Sequence, residues 1–387
     1  MLSVDFFVSA RYITLLGAQY MQFSYKFYKS TVAAWEGMHT AILEAKESIY
    51  WEIFMLIDDE VGKPFIDLLC AKAQAGLDVK LVVDAMGSFY LSADAINKLK
   101  NAGVKFLFFH RFGIRFVLQN WWRRIWHRTH RKILIVDKKI AFIGGVNVTK
   151  NAANWQDLHL RLTGKIVVPM LYAFGRAYVR AGGNKAEVQD LLQPKLILRM
   201  RRFKNRVKLI LHSPIGVTTR SPFKKFYTQA LSTAQESFTL LTPYYAPDKH
   251  FLDLVAKAHA RGVKINILTP WKTDEPIMRY MTAMLFRESA QAGIVFYFLR
   301  AMNHGKAVII DRKLAMVGSA NLTPRSFYIN HEAGVVFSDP KMVGDLNQIF
   351  EELKQDAVPL SEIDIENSRG PFRKIKDWFM RKIHTYV

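Results

Sequence analysis

The sequence predicts an α/β fold built from two repeated domains, each a mixed β-sheet flanked by helices, related by a pseudo-twofold. One observation is an internal repeat. AKESIYWEIFML (45–56) parallels AQESFTLLTPYY (234–245), FIDLLCAKAQAGLDVKLVVD (65–84) parallels FLDLVAKAHARGVKINIL (251–268), and NAGVKFLFF (101–109) parallels QAGIVFYFL (291–299). Another is the alternation inside each half: strand, helix, strand, helix, strand, which implies βαβ units and a largely parallel or mixed sheet. The third is a doubled motif: HRKILIVDKKIAFIGGVN runs from His130 to Asn147, and HGKAVIIDRKLAMVGSAN from His304 to Asn321.

In chain order, residues 1–35 form an aromatic, amphiphilic segment read as a helix packing on the first domain, with membrane contact as the alternative. Residues 36–183 form that domain. Phe65, Leu68, Leu69 and Ala73 keep helical spacing and belong to its core, as do Phe251, Leu254 and Val255 in the second copy. A helix follows Gly164. Residues 184–206 are a basic connector, residues 207–356 the second domain with a closing helix near 340–356, and residues 357–387 a basic tail. In that tail Phe372, Ile375, Phe379 and Ile383 recur at helical spacing among Arg373, Lys374, Lys376, Arg381 and Lys382. Such a helix suits either a membrane interface or docking on the protein.

The doubled motif carries the chemistry. ILIV and AVII are runs fit for buried strands, and residues i and i+2 of a strand share a face. His130 therefore projects with Lys132, and His304 with Lys306. Asp137 and Asp311 precede a basic pair and a second apolar run, so they read as hairpin-turn residues rather than proton carriers. Gly144-Gly145 and Gly318-Ser319 end that run, where small residues let backbone N–H groups approach an anion. Asn147 and Asn321 add side-chain donors. Two copies facing each other would form one pocket for a phosphodiester.

This pattern resembles the doubled HKD signature of the phospholipase D superfamily. Thr242-Pro243-Tyr244-Tyr245-Ala246-Pro247-Asp248, Asp84-Ala85-Met86-Gly87-Ser88 and Asp58-Asp59-Glu60-Val61-Gly62 are similar to the cardiolipin synthase branch, in a form without N-terminal transmembrane helices. Arg325-Ser326, Asn330 and Glu332 look like the family's second-half ending, although Thr323 stands where many members carry Asp. The resemblance implies two phospholipase D-like domains sharing one site, with His130 as nucleophile forming a phosphohistidine and His304 as general acid and base. The symmetry of the two motifs does not itself distinguish these roles. It also implies that Asp157 and Glu332 orient the imidazoles, and that Lys132, Lys306, Asn147 and Asn321 hold the non-bridging oxygens. No carboxylate or cysteine cluster has metal-site spacing, and no cofactor is expected.

An insertion separates the halves' symmetry. About sixteen more residues separate Phe109 from His130 than separate Leu299 from His304, and the extra piece, within 110–128, interleaves Phe112, Phe116, Trp121, Trp122 and Trp126 with Arg111, Arg115, Arg123, Arg124 and Arg128. Trp with Arg suits a bilayer interface at the rim of the pocket. An arginine-rich lid and a platform for single-stranded nucleic acid are the other readings. His127, His110, His250, His259 and His384 read as surface.

Composition is consistent with these expectations. A formal net charge of +22 favours anionic partners, phospholipid or nucleic acid. The lone Cys70 excludes an internal disulfide. No apolar run approaches 20 residues, so no transmembrane helix is expected. The expected activity is phosphatidyl transfer from one phosphatidylglycerol to another, peripheral on the cytoplasmic face of a bacterial inner membrane. A hydrolytic phospholipase D, an HKD nuclease and a non-catalytic lipid binder are the rivals.

Overall fold

A computed structural model describes residues 23–110, 127–193, 206–214, 221–358, 360, 364–365, 370 and 373–383. The first half runs β1 (Tyr25–Ser30), α1 (Thr31–Leu43), β2 (Ser48–Ile53), α2 (Gly62–Gln74), β3 (Asp78–Asp84), α3 (Ala93–Asn101), β4 (Lys105–Phe109), β5 (Ile133–Val136), β6 (Ile140–Gly144), β7 (Gln156–Thr163) and α4 (Val167–Arg180). The second repeats it: β8 (Val207–His212), α5 (Pro222–Thr233), β9 (Ser237–Leu241), α6 (Lys249–Ala260), β10 (Lys264–Pro270), α7 (Pro276–Gln291), β11 (Ile294–Leu299), β12 (Ala307–Ile310), β13 (Leu314–Gly318), α8 (Pro324–Tyr328), β14 (Glu332–Phe337) and α9 (Pro340–Gln355). A short β15 (Ala357–Val358) and α10 (Arg373–Ile383) follow.

Each half contributes one mixed sheet. The orders are β1-β7-β6-β5-β2-β3-β4 and β15-β11-β10-β9-β12-β13-β14-β8. The βαβ strands pair in parallel, and the motif hairpins add antiparallel. Within the 1–35 segment, Tyr25–Ser30 is an edge strand on β7, matching β8 on β14 in the second half. The helix begins only at Thr31, because the Ser30 side chain accepts from Ala33 N–H and caps it. Side chains of Ser92, Ser221, Asp248 and Asp339 start other helices the same way.

The two sheets face one another across a shared core. Ile133, Ile135, Ile143, Leu158 and Leu160 of the first half meet Ala307, Ile309, Val317, Ala333 and Val335 of the second, with Phe174 of α4 and Phe350 of α9 closing the sides. Fully burying a side chain such as Phe174 contributes roughly 1.5–3 kcal/mol. Separate clusters fill the outer layer of each half. Register then sets the location of the site. Ile133 opposes Glu52 and Ala307 opposes Leu241, so both motif histidines lie at the carboxyl ends of the parallel strands. Parallel bridges Thr129–His331 and Gln156–Asn303 tie the halves together there.

Candidate active site

The backbone brings both motifs to one place. His130 N–H donates to the His331 carbonyl at 2.9 Å, and His304 N–H to the Gln156 carbonyl at 2.8 Å. Each histidine thereby starts its strand beside the residue that precedes the other half's acid. The side chains follow. His130 Nδ1 lies 3.1 and 3.2 Å from the Glu332 carboxylate oxygens, and His304 Nδ1 lies 3.0 Å from Asp157 Oδ2. Each imidazole is oriented by the acid of the opposite half. Such a bond fixes the ring and its tautomer, leaving Nε2 for chemistry.

Lys132 Nζ donates to the His130 carbonyl at 3.0 Å, and Lys306 Nζ to that of His304. The i, i+2 relation thus holds each ammonium beside its histidine. Asn147 and Asn321 lie at the ends of the hairpins with buried side-chain oxygens that have no hydrogen-bond partner. Each of these amide oxygens is thus uncommitted. His130, Lys132, His304 and Lys306 are all buried.

The surroundings differ between the two histidines. Phe54 packs edge-on to His130 with ring centroids 5.1 Å apart, whereas Trp155 and Tyr244 flank His304 at 5.4 and 6.1 Å. Ser319 and Ser326 both donate to Glu332, the latter at 2.8 Å. Asp157 instead accepts its own neighbour's Leu158 N–H at 2.6 Å. A Cβ on Gly145 would stand 2.2 Å from Asp157 Oδ1, so glycine is required for the carboxylate to fit.

Burial and the Lys132 ammonium hold the His130 imidazole down to about 4, against the pull of Glu332. His304 is lowered by burial and by Lys306, with Asp157 opposing. Burial pushes Glu332 up, but His130, Ser319 and Lys132 outweigh it and bring the carboxyl to about 2. Asp157 is likewise below its ordinary value, since His304 and Lys306 overcome burial. Lys132 falls to about 7 through burial and repulsion from Lys306, and Lys306 to about 8 through burial. The pocket therefore resists accumulating cationic charge until an anion enters.

Several expectations require correction. The N–H groups of Gly145 and Ser319 donate to the carbonyls of Leu158 and Ala333, so neither is left to meet an anion. Small residues there serve close strand approach: a Cβ on Gly318 would lie 2.5 Å from the Ala333 carbonyl oxygen. By contrast, Asp137 and Asp311 stand in the hairpin turns where the sequence places them, at the far ends of β5 and β12 and away from the histidines. Asp137 accepts from the N–H groups of Lys46, Glu47 and Ser48, and Asp311 from those of Gln235, Glu236 and Ser237. Arg128 is buried at 1 % exposure, 3.7 Å from Asp84, so it anchors the insertion's end inside the protein. His127 and His110 are half-buried rather than surface; His127 Nδ1 lies 2.8 Å from the Ile329 carbonyl across the halves. Arg115, Trp121, Trp122, Arg123, Arg124 and Trp126 lie outside the described residues.

Residues that sequence reasoning missed stand beneath the histidine strand. Thr129 donates its hydroxyl to the fully buried Glu52 at 2.5 Å and its N–H to Asp84 at 2.9 Å. Arg131 donates to the carbonyls of Glu332 and His212. Glu52 within the apolar run SIYWEI was the available signal, because a carboxylate in a buried strand requires partners.

The family model for the cardiolipin synthase, PLD-like domain matches residues 38–165 and again 227–354. The minor cardiolipin synthase ClsB of Bacillus subtilis is 29% identical over 91% of this chain and 86% of its own length. Cardiolipin synthase 2 of Bacillus anthracis is 31% identical over 83% of this chain, which spans 62% of that relative's length. The probable cardiolipin synthase YwiE of B. subtilis is 29% identical, with 88% of this chain and 68% of that protein covered. In fold, the crystal structure of phosphatidylserine synthase from Haemophilus influenzae superposes with a TM-score of 0.72 at 14% identity, over 94% of this chain and 95% of that one. With both motif repeats matched and both sheets meeting at one paired-histidine site, the chain belongs to the cardiolipin synthase family of phospholipase D-like proteins.

Proposed function

We propose that this protein is a cardiolipin synthase-type phosphatidyltransferase that joins two phosphatidylglycerol molecules and releases glycerol. The observation that carries the reading is the crossed pair of histidine–carboxylate contacts, which holds two imidazoles in one buried site beside two lysines. In this mechanism Nε2 of His130 attacks the phosphorus of one phosphatidylglycerol. The P–O bond to glycerol breaks, and the leaving oxygen takes a proton from Nε2 of His304. The hydroxyl of a second phosphatidylglycerol gives its proton back to His304 and attacks the phosphohistidine, which frees His130. Lys132 and Lys306 hold the non-bridging oxygens, and their attraction strengthens as charge shifts onto them. Low basicity in the empty pocket keeps His130 neutral and able to attack. The phosphodiester's negative charge supports protonation of His304 once substrate is bound.

The acceptor decides between transfer and hydrolysis. Vesicles of phosphatidylglycerol incubated with the protein, with products resolved by mass spectrometry, should yield mainly cardiolipin and free glycerol. Phosphatidic acid as the chief product would make the protein a phospholipase. Inert lipid together with cleaved nucleic acid would make it a nuclease. On detergent-dispersed lipid, turnover should survive exhaustive chelation, because the lysine and asparagine pairs supply the stabilising charge. The substrate reaches the site at a membrane surface; among the described residues no helix is long and apolar enough to cross one. The proposed location is the cytoplasmic face of the inner membrane.

A further inference from the structure

We propose that the end of the molecule carrying the histidines is a bilayer-docking face. Its two contacts are the loop after β3, through Met86, Phe89 and Tyr90, and α10, through Ile375, Trp378 and Phe379. Its partner is an anionic phospholipid bilayer. These six are among only eleven large hydrophobic side chains exposed among the described residues. Tyr90 is 80 % exposed, Phe89 69 % and Trp378 61 %. Clustered exposed apolar groups of this size mark interaction surfaces rather than ordinary solvent-facing surface.

Both segments sit at the site end. β3 ends at Asp84, whose carboxylate accepts Thr129 N–H directly before His130 and also Met86 N–H at 2.9 Å and Gly87 N–H at 3.2 Å. Ser88 Oγ donates to the carbonyl of Phe54, the residue packed on His130. A Cβ on Gly87 would come within 2.2 Å of that carbonyl oxygen. The loop backbone is therefore pinned at the pocket while its three large side chains project outward. Phe89 and Tyr90 stand edge to face, 5.5 Å apart. Fixing apolar groups before contact lowers the ordering cost of insertion.

In the other half, α7 starts just beyond the site end of β10. Tyr280, about 6 Å along it by helical rise, donates its hydroxyl to Asp377 of α10 at 2.7 Å. Met380 is buried in the second half's outer core. One face of α10 is thus docked, and Ile375, Trp378 and Phe379 are not covered by it. Lys374, Lys376, Arg381 and Lys382 are exposed on the same helix, with Lys382 Nζ 3.9 Å from the Trp378 ring centroid. Apolar and aromatic groups among lysines fit an anionic interface in both polarity and charge. Each such cation near an anionic leaflet raises partitioning roughly fivefold. With both contacts seated, the histidine end of the molecule faces the headgroups.

The placement rests on the phosphatidyl-transfer reading for its purpose, but vesicle flotation reads it without turnover. The intact protein should float with phosphatidylglycerol vesicles and much less with phosphatidylcholine vesicles. Phe89→Ser with Tyr90→Ser, and separately Trp378→Ser with Phe379→Ser, should each weaken vesicle partitioning in flotation by about a hundredfold, the scale expected for two lost aromatic anchors. Lys374→Gln with Lys376→Gln should weaken it at low salt and little at high salt. Unchanged thermal midpoints identify the losses as surface effects. As a second reading, brominated lipid should quench the intact protein more than its Trp378→Phe variant. Undiminished flotation of a variant combining all four aromatic substitutions, or equal quenching of the intact and Trp378→Phe proteins, would overturn the docking face. A protein that floats through these residues yet makes no cardiolipin would overturn the function and leave the face standing.

Discussion

At the residue scale, the two lysines set a pH signature. Lys132 is lowered to about 7 and Lys306 to about 8, mainly by burial. On the proposed mechanism their charged forms bind the phosphodiester, and that charge is lost as pH rises through these values. We expect kcat/KM to fall on the alkaline side in this region. Bound phosphodiester favours both ammonium forms, so the corresponding limb in kcat should lie at higher pH. Lys132→Arg, which does not titrate, should remove the Lys132 contribution to the kcat/KM limb. The histidine–acid pairs make a second prediction. Glu332→Gln and Asp157→Asn should each cost about 10²–10⁴-fold in kcat, by analogy with removal of an acid–base group. The informative measurement is the double variant. Glu332→Gln should cost little more once His130 is Ala, and Asp157→Asn little more once His304 is Ala, because coupled groups are not additive. Additive losses for these pairs, with coupling inside each half instead, would contradict the crossed arrangement.

At the element scale, the hairpins β5–β6 and β12–β13 are stabilised from their far ends. Asp137 and Lys138 have φ of 52° and 54°, and Asp311 and Arg312 of 51° and 52°. These left-handed pairs give the tight hairpin turn whose twist matches its strands. Each aspartate also receives three backbone N–H groups from the chain entering β2 or β9. Asp137→Ala and Asp311→Ala should each destabilise by about 2–3 kcal/mol, the scale of charged hydrogen bonds lost together. Denaturant unfolding checks this, and turnover per folded molecule should stay within roughly threefold. The Asp311 carboxyl is held below its ordinary value by those N–H groups, despite burial. A depressed carboxylate stabilises above its unfolded pKa, and that contribution disappears as pH falls through the folded value. Asp311→Asn should accordingly lose less stability relative to the parent in acid than at neutrality.

At the scale of the whole molecule, neither half holds a complete histidine–carboxylate pair. The core between the sheets is shared, and each histidine depends on a carboxylate about 150 to 200 positions away. A chain of residues 23–193 alone would expose Ile133, Ile135, Leu158 and Leu160 to water. It should aggregate or unfold and show no transfer. Co-expression with residues 206–383 should restore a soluble complex and measurable cardiolipin formation. Gel filtration with product analysis checks both. An active, soluble first half would contradict the shared site.

Local chemistry made much of this protein legible from its sequence. Apolar runs of strand length, helix spacing in the 65–84 and 251–268 segments and the repeated motif determined the element order from β2 to β6 and from β9 to β13, both hairpins and the placement of each lysine beside its histidine. Those features depend on neighbours a few positions apart, which the linear chain displays directly. Tertiary packing alone decided which acid faces which histidine, because Thr129–His331 and Gln156–Asn303 pairing crosses between halves. It also spent the Gly145 and Ser319 N–H groups on strand contacts and buried Arg128 against Asp84. In the tail, one set of residues could dock or meet solvent, and only the fold of α7 determined that Met380 is buried while Trp378 and Phe379 remain exposed. Such choices depend on which surfaces two distant segments present to each other, and amphipathic spacing is the same before and after that choice is made.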